Sequence, residues 1–549
     1  MKKYSGTKIY EGFADGEIKI LFRNQQVVKK DFTTPEQEFA RFISARDQEV
    51  AKLDKLFEET KAQLGEDKAK LFATHKIMAT DADFEDAVKA AINQRMIAED
   101  AVVSAAKQFA ATLSQLEDPY MKARSADVIE IGNGIRNFLL GVHDNFKLDK
   151  PTILVCEDLE SSVVMQFDKK LLKGIVLTKG NTTAHIAIFA RSCELPSICR
   201  VSDLTLDPSL NGKRAILDST KGEFLVDVDI GEQTLYAQQA QALAAQKVAL
   251  KQYIGLPTRT LDNVKTKIYC NIDSADDTVS VLNNDGEGVG LFRSEFIYLR
   301  QKDYPTEDYQ FNIYKKALES MKGKEVIIRT IDIGADKKVD YFKLPPEANP
   351  ALGYRSIRIC LDRPDIFKTQ LRALYRASAY GNLSILVPMI SSVAEVQFCK
   401  KCIEEVKQEL AAKQIPFAKY VKFGIMIEIP AAAICCDELA QHVDFFSIGT
   451  NDLTQYTLAC DRTNPNLGQV YNPYHKGLMR LMKYSIETAH KYGKEIGICG
   501  ELAKDPKILP FLVALHIDEI SIAPTYVLQT RKAICELNTK KVNIDEYIK

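Results

Sequence analysis

Eight short apolar runs recur in the second half of the chain, and segments of helical composition separate most of them. The runs occupy residues 267–272, 288–293, 326–332, 385–390, 423–429, 445–449, 495–499 and 519–524. A (β/α)₈ barrel requires eight parallel strands that alternate with helices, and region 257–549 is long enough to form one. The pattern therefore predicts a C-terminal TIM barrel, with a doubly wound open sheet as the alternative.

A stretch of helical composition, residues 31–144, interrupts the N-terminal half. Apolar residues recur there at helical spacing, and Thr34-Pro35 is a favourable helix start because Thr can cap the helix while Pro fits its first turn. Short apolar runs typical of strands lie on both sides of this stretch. We therefore predict an α/β domain built from residues 1–30 and 145–230, into which a helical bundle is inserted.

Residues 232–253 contain no Gly or Pro and are rich in Ala, Gln and Leu. Such a composition predicts a long exposed helix, which Gly255-Leu256-Pro257 would end. We expect a linker helix over residues 231–256 between the N-terminal domains and the barrel.

Composition excludes several classes of protein. The chain has 73 Lys and Arg against 74 Asp and Glu, and this balance argues against a dedicated nucleic-acid binder. No apolar run reaches the roughly 18 residues that a membrane-spanning helix needs. The 12 cysteines are scattered and the start has no secretory character, so we expect a cytoplasmic protein with free thiols and with no nucleic-acid or membrane partner.

Polar residues lie at or just after the C-terminal ends of several predicted barrel strands. They are Arg293, Arg329, Asp332, Glu428, Asn451, Asp452, Cys499 and Glu501. Because catalytic groups of barrels lie at the C-terminal strand ends, we expect these side chains to meet at one mouth. Arginines suit a phosphate or carboxylate substrate, and the pair Glu428 and Asp452 suits Mg²⁺. The alternative is that each charge makes an ordinary salt bridge at the barrel rim.

A second candidate site lies in the predicted α/β domain, at residues 180–191. A Gly opens a turn of small polar residues, and His185 then leads into an apolar helix. A His at a helix start can act as a nucleophile, and the helix N-terminus favours an anionic phosphoryl group. The alternative is a packed structural histidine.

Several long motifs carry a resemblance to a known family. They occupy residues 287–296, 327–337, 349–359, 425–433, 444–462 and 497–505 in the barrel, and 71–84 and 118–132 in the helical bundle. With these motifs the chain resembles enzyme I of the phosphoenolpyruvate:sugar phosphotransferase system over nearly its whole length.

The resemblance implies a magnesium-dependent phosphotransferase that carries out the first step of sugar uptake. It implies that His185 takes the phosphoryl group of phosphoenolpyruvate, that pyruvate is released, and that an HPr-like carrier docked on the helical bundle receives the group. It also implies a homodimer formed through the barrels. The implied substrate-binding residues are Arg293 and Arg329 with Arg355, Asn451 and Arg462 in support; Glu428 and Asp452 bind Mg²⁺, and Cys499 protonates the departing enolpyruvate.

The segment around His185 departs from the family pattern. The family usually has Gly-Gly-x-Thr-Ser-His-Thr, whereas this chain has Ala184 before the histidine and Ile186 after it. Both hydroxyl neighbours are lost, although the nucleophile stays. A phosphoenolpyruvate-binding regulatory protein with a degenerate phosphohistidine site is therefore the alternative. An ATP-using dikinase is disfavoured, because the chain has neither the length for a nucleotide-binding domain nor a Gly-rich phosphate loop.

Overall fold

The computed structural model describes most of the chain, in two compact units, Met1–Ala244 and Ala245–Lys549. The described residues are 2–21, 31–64, 66–115, 119–140, 148–157, 167–168, 170–179, 190, 195–299, 301–334, 337, 339–462, 464–467 and 470–549. His185 and the segment around it lie outside these residues.

One sheet of eight described strands forms the α/β part of the first unit. The strands are β1 (Lys2–Ser5), β2 (Thr7–Tyr10), β3 (Phe13–Leu21), β4 (Thr152–Cys156), β5 (Leu172–Leu177), β6 (Ser197–Cys199), β7 (Arg214–Asp218) and β8 (Glu223–Val226). Their order is β1-β8-β7-β3-β4-β5-β6-β2. β3 pairs in parallel with β4 and antiparallel with β7, so the strand before the helical region belongs to the same sheet as the strands after it. The predicted insertion is confirmed.

The inserted bundle has five described helices. They are α1 (Pro35–Leu64), α2 (Glu66–Ala79), α3 (Ala82–Asn93), α4 (Ala98–Gln115) and α5 (Pro119–Leu139). Asp81 caps α3, since its side chain accepts hydrogen bonds from the backbone N–H groups of Asp83 and Phe84. Phe84, Val88 and Ile92 form one apolar face of α3 that is buried in the bundle core. Apolar residues recur at helical spacing in the sequence because they form this buried face.

Helix α6 (Ile230–Leu250) covers most of the segment predicted as a linker, and the division between the two units falls within it. One 3₁₀ turn extends it to Tyr253, whose carbonyl accepts a hydrogen bond from Arg531 at 3.0 Å. Gly255 has φ +74° and donates its N–H to Asp285 at 2.7 Å. The end of the linker is therefore bonded to the second unit. No helix among the described residues is long and apolar enough to cross a membrane.

The second unit is a closed barrel of eight parallel strands, which confirms the TIM barrel and excludes the open sheet. The strands are β9 (Lys267–Ile272), β10 (Gly288–Arg293), β11 (Val326–Arg329), β12 (Leu383–Val387), β13 (Lys422–Ile427), β14 (Phe445–Ile448), β15 (Glu495–Ile498) and β16 (Glu519–Ile522). β12 begins and ends earlier than the predicted run 385–390. It ends at Val387, since Pro388 has no N–H to donate and Met389 has φ +60°.

Helices surround the barrel and bury an apolar layer against the outward side of the strands. Those described are α7 (Thr278–Asn283), α8 (Glu295–Leu299), α9 (Glu307–Ser320), α10 (Ile357–Asp362), α11 (Pro364–Ala377), α12 (Val393–Ala412), α13 (Pro430–Ile434), α14 (Cys436–Ala440), α15 (Thr450–Leu458), α16 (Lys476–Lys491), α17 (Leu509–Ala514), α18 (Val527–Cys535) and α19 (Asp545–Ile548). Because all eight strands run in parallel, the residues that follow them lie at the same end of the barrel.

Glu519 is a buried acid inside the barrel, on β16. Its carboxyl group fits beside Gly290 and Gly497, where a Cβ atom on either glycine would overlap it. Burial and the neighbouring Glu325 raise the pKa of Glu519 to about 8, while Lys267 opposes the rise. Its Oε1 atom has no hydrogen-bond partner among the described residues.

Candidate active site

Arg329 is the last residue of β11, and its buried side chain enters the mouth of the barrel. One terminal nitrogen, Nη2, lies 2.5 Å from Glu295 Oε1 and 3.0 Å from Asp332 Oδ2. The Nε–H is buried and has no acceptor among the described residues. Because buried N–H groups are normally paired, Arg329 has a hydrogen-bond donor available for a ligand.

Lys337 joins the same buried charges. Its ammonium group lies 2.9 Å from Glu295 Oε1 and 2.8 Å from Asp332 Oδ2. Burial alone would raise the pKa of Glu295 and of Asp332, but the cations around both carboxyls outweigh it and hold each pKa below its ordinary value. The two carboxylates are therefore ionised, and they fix the positions of the cations in a low-dielectric mouth.

Arg355 is buried and uses every N–H of its guanidinium group. Nε donates to Asp332 Oδ1 at 2.9 Å, and Nη2 donates to Asp332 Oδ2 at 3.1 Å and to Asp452 Oδ2 at 2.9 Å. Nη1 donates to Asp452 Oδ1 at 3.4 Å and to the Tyr456 hydroxyl at 3.1 Å. These five contacts account for the five donors that an arginine has.

The backbone around Arg355 is held in unusual conformations. Ser356, the next residue, has φ +56°, and its hydroxyl donates to Ile331 O at 3.2 Å. Gly334 has φ +114°, and a Cβ atom there would lie 2.9 Å from Arg355. Such backbone strain persists only where surrounding contacts determine the conformation, and it is common at functional sites.

Glu428 and Asp452 are the two carboxylates proposed to bind a metal. Glu428 follows β13, and its Oε1 accepts the N–H of Met389 at 2.7 Å. Asp452 lies in the first turn of α15. Burial raises the pKa of Glu428 to about 8, and the charges of Asp452 and Asp332 add to the rise. Two buried carboxyl groups that repel each other fit a divalent cation, which would relieve the repulsion.

Cys499 follows β15, and its buried thiol lies among apolar side chains of the barrel interior that include Met426. Burial raises the pKa of this thiol to about 12, although Ser447 and Arg329 act in the opposite direction. The thiol therefore carries its proton at neutral pH.

The segment after Cys499 is bonded to the first turn of α15, which carries Asp452. Glu501 donates its N–H to Asn451 Oδ1 at 3.0 Å. Gly500 packs directly against Thr450, and a Cβ atom at position 500 would overlap the Thr450 side chain. The amide nitrogen of Asn451 has no bond within the described part of the chain, so it is a second donor available for a ligand.

Two predicted site residues, Arg293 and Arg462, are more exposed than the buried Arg329 and Arg355. Arg293 ends β10, but its Nε lies 2.5 Å from Asp273 Oδ1 and its side chain is 39% exposed, at the rim of the mouth. Arg462 is exposed after α15, and in the described residues only its backbone N–H is seen bonded, to Gln455 at 3.1 Å. The structure thus brings Arg329, Arg355, Glu428 and Asp452 into one network and leaves Arg462 outside it.

Sequence reasoning missed three residues of this network. Glu295 pairs with Arg329, Met389 positions Glu428, and Tyr456 accepts from Arg355. Tyr456 follows Asp452 by four residues, so helical spacing could have placed both on one face. Met389 acts through its backbone N–H at φ +60°, which no side-chain pattern reveals.

Three family models match the chain. The family described as "PEP-utilising enzyme, PEP-binding domain" matches residues 247–539, "PEP-utilising enzyme, N-terminal" matches 5–124, and "PEP-utilising enzyme, mobile domain" matches 148–222.

Two curated relatives bear the name phosphoenolpyruvate-protein phosphotransferase. The protein of Mycoplasma capricolum subsp. capricolum is 39% identical over 99% of this chain and 95% of its own length. That of Bacillus subtilis is 39% identical over 94% of this chain and 91% of its own length. Among solved structures, an NMR solution structure of an Enzyme I protein is 26% identical and covers 44% of this chain and 99% of its own, with a TM-score of 0.39.

Proposed function

Since the chain belongs to the phosphoenolpyruvate-protein phosphotransferase family, we propose that its barrel binds phosphoenolpyruvate, that His185 accepts the phosphoryl group, and that an HPr-like carrier protein then receives it. The relatives' names and the match to the mobile domain favour this transferase over the regulatory alternative. The P–O bond of the substrate breaks as the bond from phosphorus to His185 forms, and pyruvate is the second product.

One observation carries the proposal for the barrel: the buried Nε–H of Arg329 has no acceptor among the described residues. Glu295 and Asp332 hold this guanidinium group in place, so an anion can meet it without any rearrangement of the arginine. Arg293 at the rim and the amide of Asn451 are further donors for the phosphate and carboxylate of the substrate. Preorganised cations of this kind stabilise a transferring phosphoryl group.

We propose that Glu428 and Asp452 bind Mg²⁺. Mg²⁺ takes one or two carboxylates and completes its coordination with water and substrate phosphate, so a pair of buried carboxylates suits it. When bound, the ion would neutralise charge on the substrate.

Cys499 is proposed to complete the reaction as the acid. Loss of the phosphoryl group leaves the enolate of pyruvate, whose methylene carbon must gain a proton. A thiol that holds its proton at neutral pH, at the end of a strand facing Arg329, can supply it.

Other parts of the proposal rest on the family resemblance alone. They are docking of the carrier on the helical bundle and a homodimer through the barrel. The cytoplasmic location and the boundaries 1–30 with 145–230, 31–144, 231–256 and 257–549 rest on the sequence pattern and stay predictions. The role of Arg462 in binding the substrate is also a prediction.

The test is phosphorylation of a purified HPr-like protein with phosphoenolpyruvate and Mg²⁺. We expect one pyruvate for each phosphorylated carrier. Arg329→Gln should abolish both products. Arg358→Gln should retain them, because within the described residues the Arg358 side chain donates to the carbonyls of Leu352 and Gly353 and to none of the site residues. No pyruvate from the wild type, or equal loss in both variants, would contradict the proposed function.

A further inference from the structure

Gln370 lies behind the mouth of the barrel, on α11, and is buried. Its Oε1 accepts the backbone N–H of Ile331 at 2.9 Å. Its Nε2 donates to the Ser294 hydroxyl at 2.9 Å and to the Tyr314 hydroxyl at 3.0 Å. One neutral side chain thus joins the segment that follows β10 to the segment that follows β11.

The residue that is bonded in each of these segments adjoins a carboxylate of the site. Ser294 directly precedes Glu295, and Ile331 directly precedes Asp332. The two carboxylates belong to different segments, yet both contact the same nitrogen, Nη2 of Arg329, at 2.5 and 3.0 Å. The spacing of the two segments therefore decides whether that nitrogen can be shared.

The orientation of Arg329 depends on this sharing. Its guanidinium group is planar and rigid, so the direction of Nη2 also fixes the direction of the Nε–H. That Nε–H is the buried donor without an acceptor among the described residues. A shift of either carboxylate would turn the donor away from an anion in the mouth, and a misplacement of about 1 Å can lower a rate about 100-fold.

The backbone of Ile331 is held from both sides. Its N–H donates to Gln370, and its carbonyl accepts from the hydroxyl of Ser356 at 3.2 Å. Without Gln370 this N–H would be buried and unpaired, and it could regain a partner only if the segment shifted. The glutamine therefore fixes the backbone directly before Asp332.

Tyr314 connects Gln370 to a second buried glutamine, Gln310 on α9. Gln310 Oε1 accepts from the hydroxyls of Tyr314 and Tyr298, each at 3.2 Å, and its Nε2 donates to Pro305 O at 3.0 Å. Gln310 thus makes as many of these hydrogen bonds as Gln370 does. None of its partners is a direct neighbour of a site carboxylate, so it is a matched control.

We propose that Gln370 is a positioning residue for phosphoenolpyruvate: it holds the segments that carry Glu295 and Asp332 at the spacing that directs the Nε–H of Arg329 toward the substrate. The inference rests on the proposed function and adds to it a residue that acts only through the groups it holds. Because Gln370 is neutral, its replacement by another neutral residue changes the geometry of the mouth and adds or removes no charge.

The test compares Gln370→Met with Gln310→Met in the full-length chain. Pyruvate formation is measured at varied phosphoenolpyruvate, with Mg²⁺ and a purified HPr-like protein at saturation. Methionine has a side chain of similar length but no amide group, so each variant loses its three buried hydrogen bonds. We expect both to melt at lower temperatures than the wild type, by similar amounts.

The KM for phosphoenolpyruvate separates positioning from stability, because KM does not depend on the fraction of chains that are folded. Gln370→Met should raise this KM about tenfold, which is at the low end of the effect of contacts that orient a ligand-binding group. Gln310→Met should keep the KM of the wild type.

A double variant tests the route through Arg329. In Glu295→Gln the ion pair that helps to orient Nη2 is already lost, so adding Gln370→Met should raise KM by a much smaller factor than it does in the wild type. If Gln370→Met does not fold, Ser294→Ala decides the matter. It removes one contact of Gln370 and should also raise KM, by a smaller factor.

Equal KM values in Gln370→Met and Gln310→Met would overturn the positioning role. A full tenfold further rise in the Glu295→Gln background would overturn it too, as would an unchanged KM in Ser294→Ala. Failure of the proposed function gives a different result: the wild type itself then forms no pyruvate from phosphoenolpyruvate, and the inference fails with it.

Discussion

Replacing Glu519 by Gln should stabilise the barrel, and the gain should grow with pH. Glu519 lies inside the barrel with an unpartnered oxygen, and its pKa rises from 4.5 in an exposed chain to about 8. The folded barrel therefore binds the proton more tightly than the unfolded chain does. This contribution to stability is fully present below pH 4.5 and is lost as the pH rises toward 8.

The magnitude follows from the size of the shift. Each pH unit between the two pKa values costs about 1.4 kcal/mol, so wild type should lose about 3 kcal/mol between pH 5 and pH 7 through this one group. Gln has nearly the same shape and does not titrate. The stability difference between Glu519→Gln and wild type should therefore widen by about 3 kcal/mol over that range.

The assay is differential scanning calorimetry of the full-length chain from pH 5 to pH 8, following the transition of the barrel. A gain of this size should raise the midpoint of Glu519→Gln over wild type by roughly 6 °C at pH 7 relative to pH 5. Glu487→Gln is the control, since Glu487 is an exposed residue of α16 paired with Lys483. A difference between Glu519→Gln and wild type that stays constant with pH would refute the reasoning.

Three substitutions test the mouth of the barrel. Glu428→Gln should lower turnover by at least about 100-fold, because charge neutralisation and metal positioning are lost together; near-normal turnover with unchanged Mg²⁺ dependence would contradict the assignment. Cys499→Ala should leave phosphoenolpyruvate binding nearly unchanged while depressing pyruvate formation, and the opposite pattern of weaker binding with normal saturated turnover would make Cys499 a packing residue. Gly500→Ala should destabilise the barrel by roughly 1–3 kcal/mol in calorimetry, because the new methyl group overlaps Thr450; an unchanged melting temperature would show that the two loops are not tightly packed.

The barrel was predictable because its strands are buried on both sides and read as apolar runs. β9 and β10 begin and end at the residues that the sequence indicates. The run 385–390 begins two residues after β12 begins and ends three residues after β12 ends. The apolar pattern continues through Pro388 and Met389 after the strand has ended. The pattern of apolar residues reflects which side chains are buried. It does not reveal a residue with positive φ, such as Met389, at which the strand ends.

The site was predictable to the extent that its groups follow strands. Arg329 ends its strand, Glu428 and Cys499 follow theirs directly, and the barrel rule places all three at one end. All N–H groups of Arg355 are bonded, whereas Arg329 keeps a free donor. This difference depends on Glu295 and Tyr456, two residues on helices that reach the mouth only after folding. Sequence spacing therefore identified the groups of the site but not their pairing.

Phosphorylation of His185 tests the central claim most directly. The full-length protein is incubated with ³²P-labelled phosphoenolpyruvate and Mg²⁺, and the label is mapped by mass spectrometry at alkaline pH, where phosphohistidine is stable. The account predicts one acid-labile phosphoryl group per chain on His185, absent from His185→Ala and retained in the control His442→Ala. An unlabelled wild type, or a label that persists in His185→Ala, would contradict it.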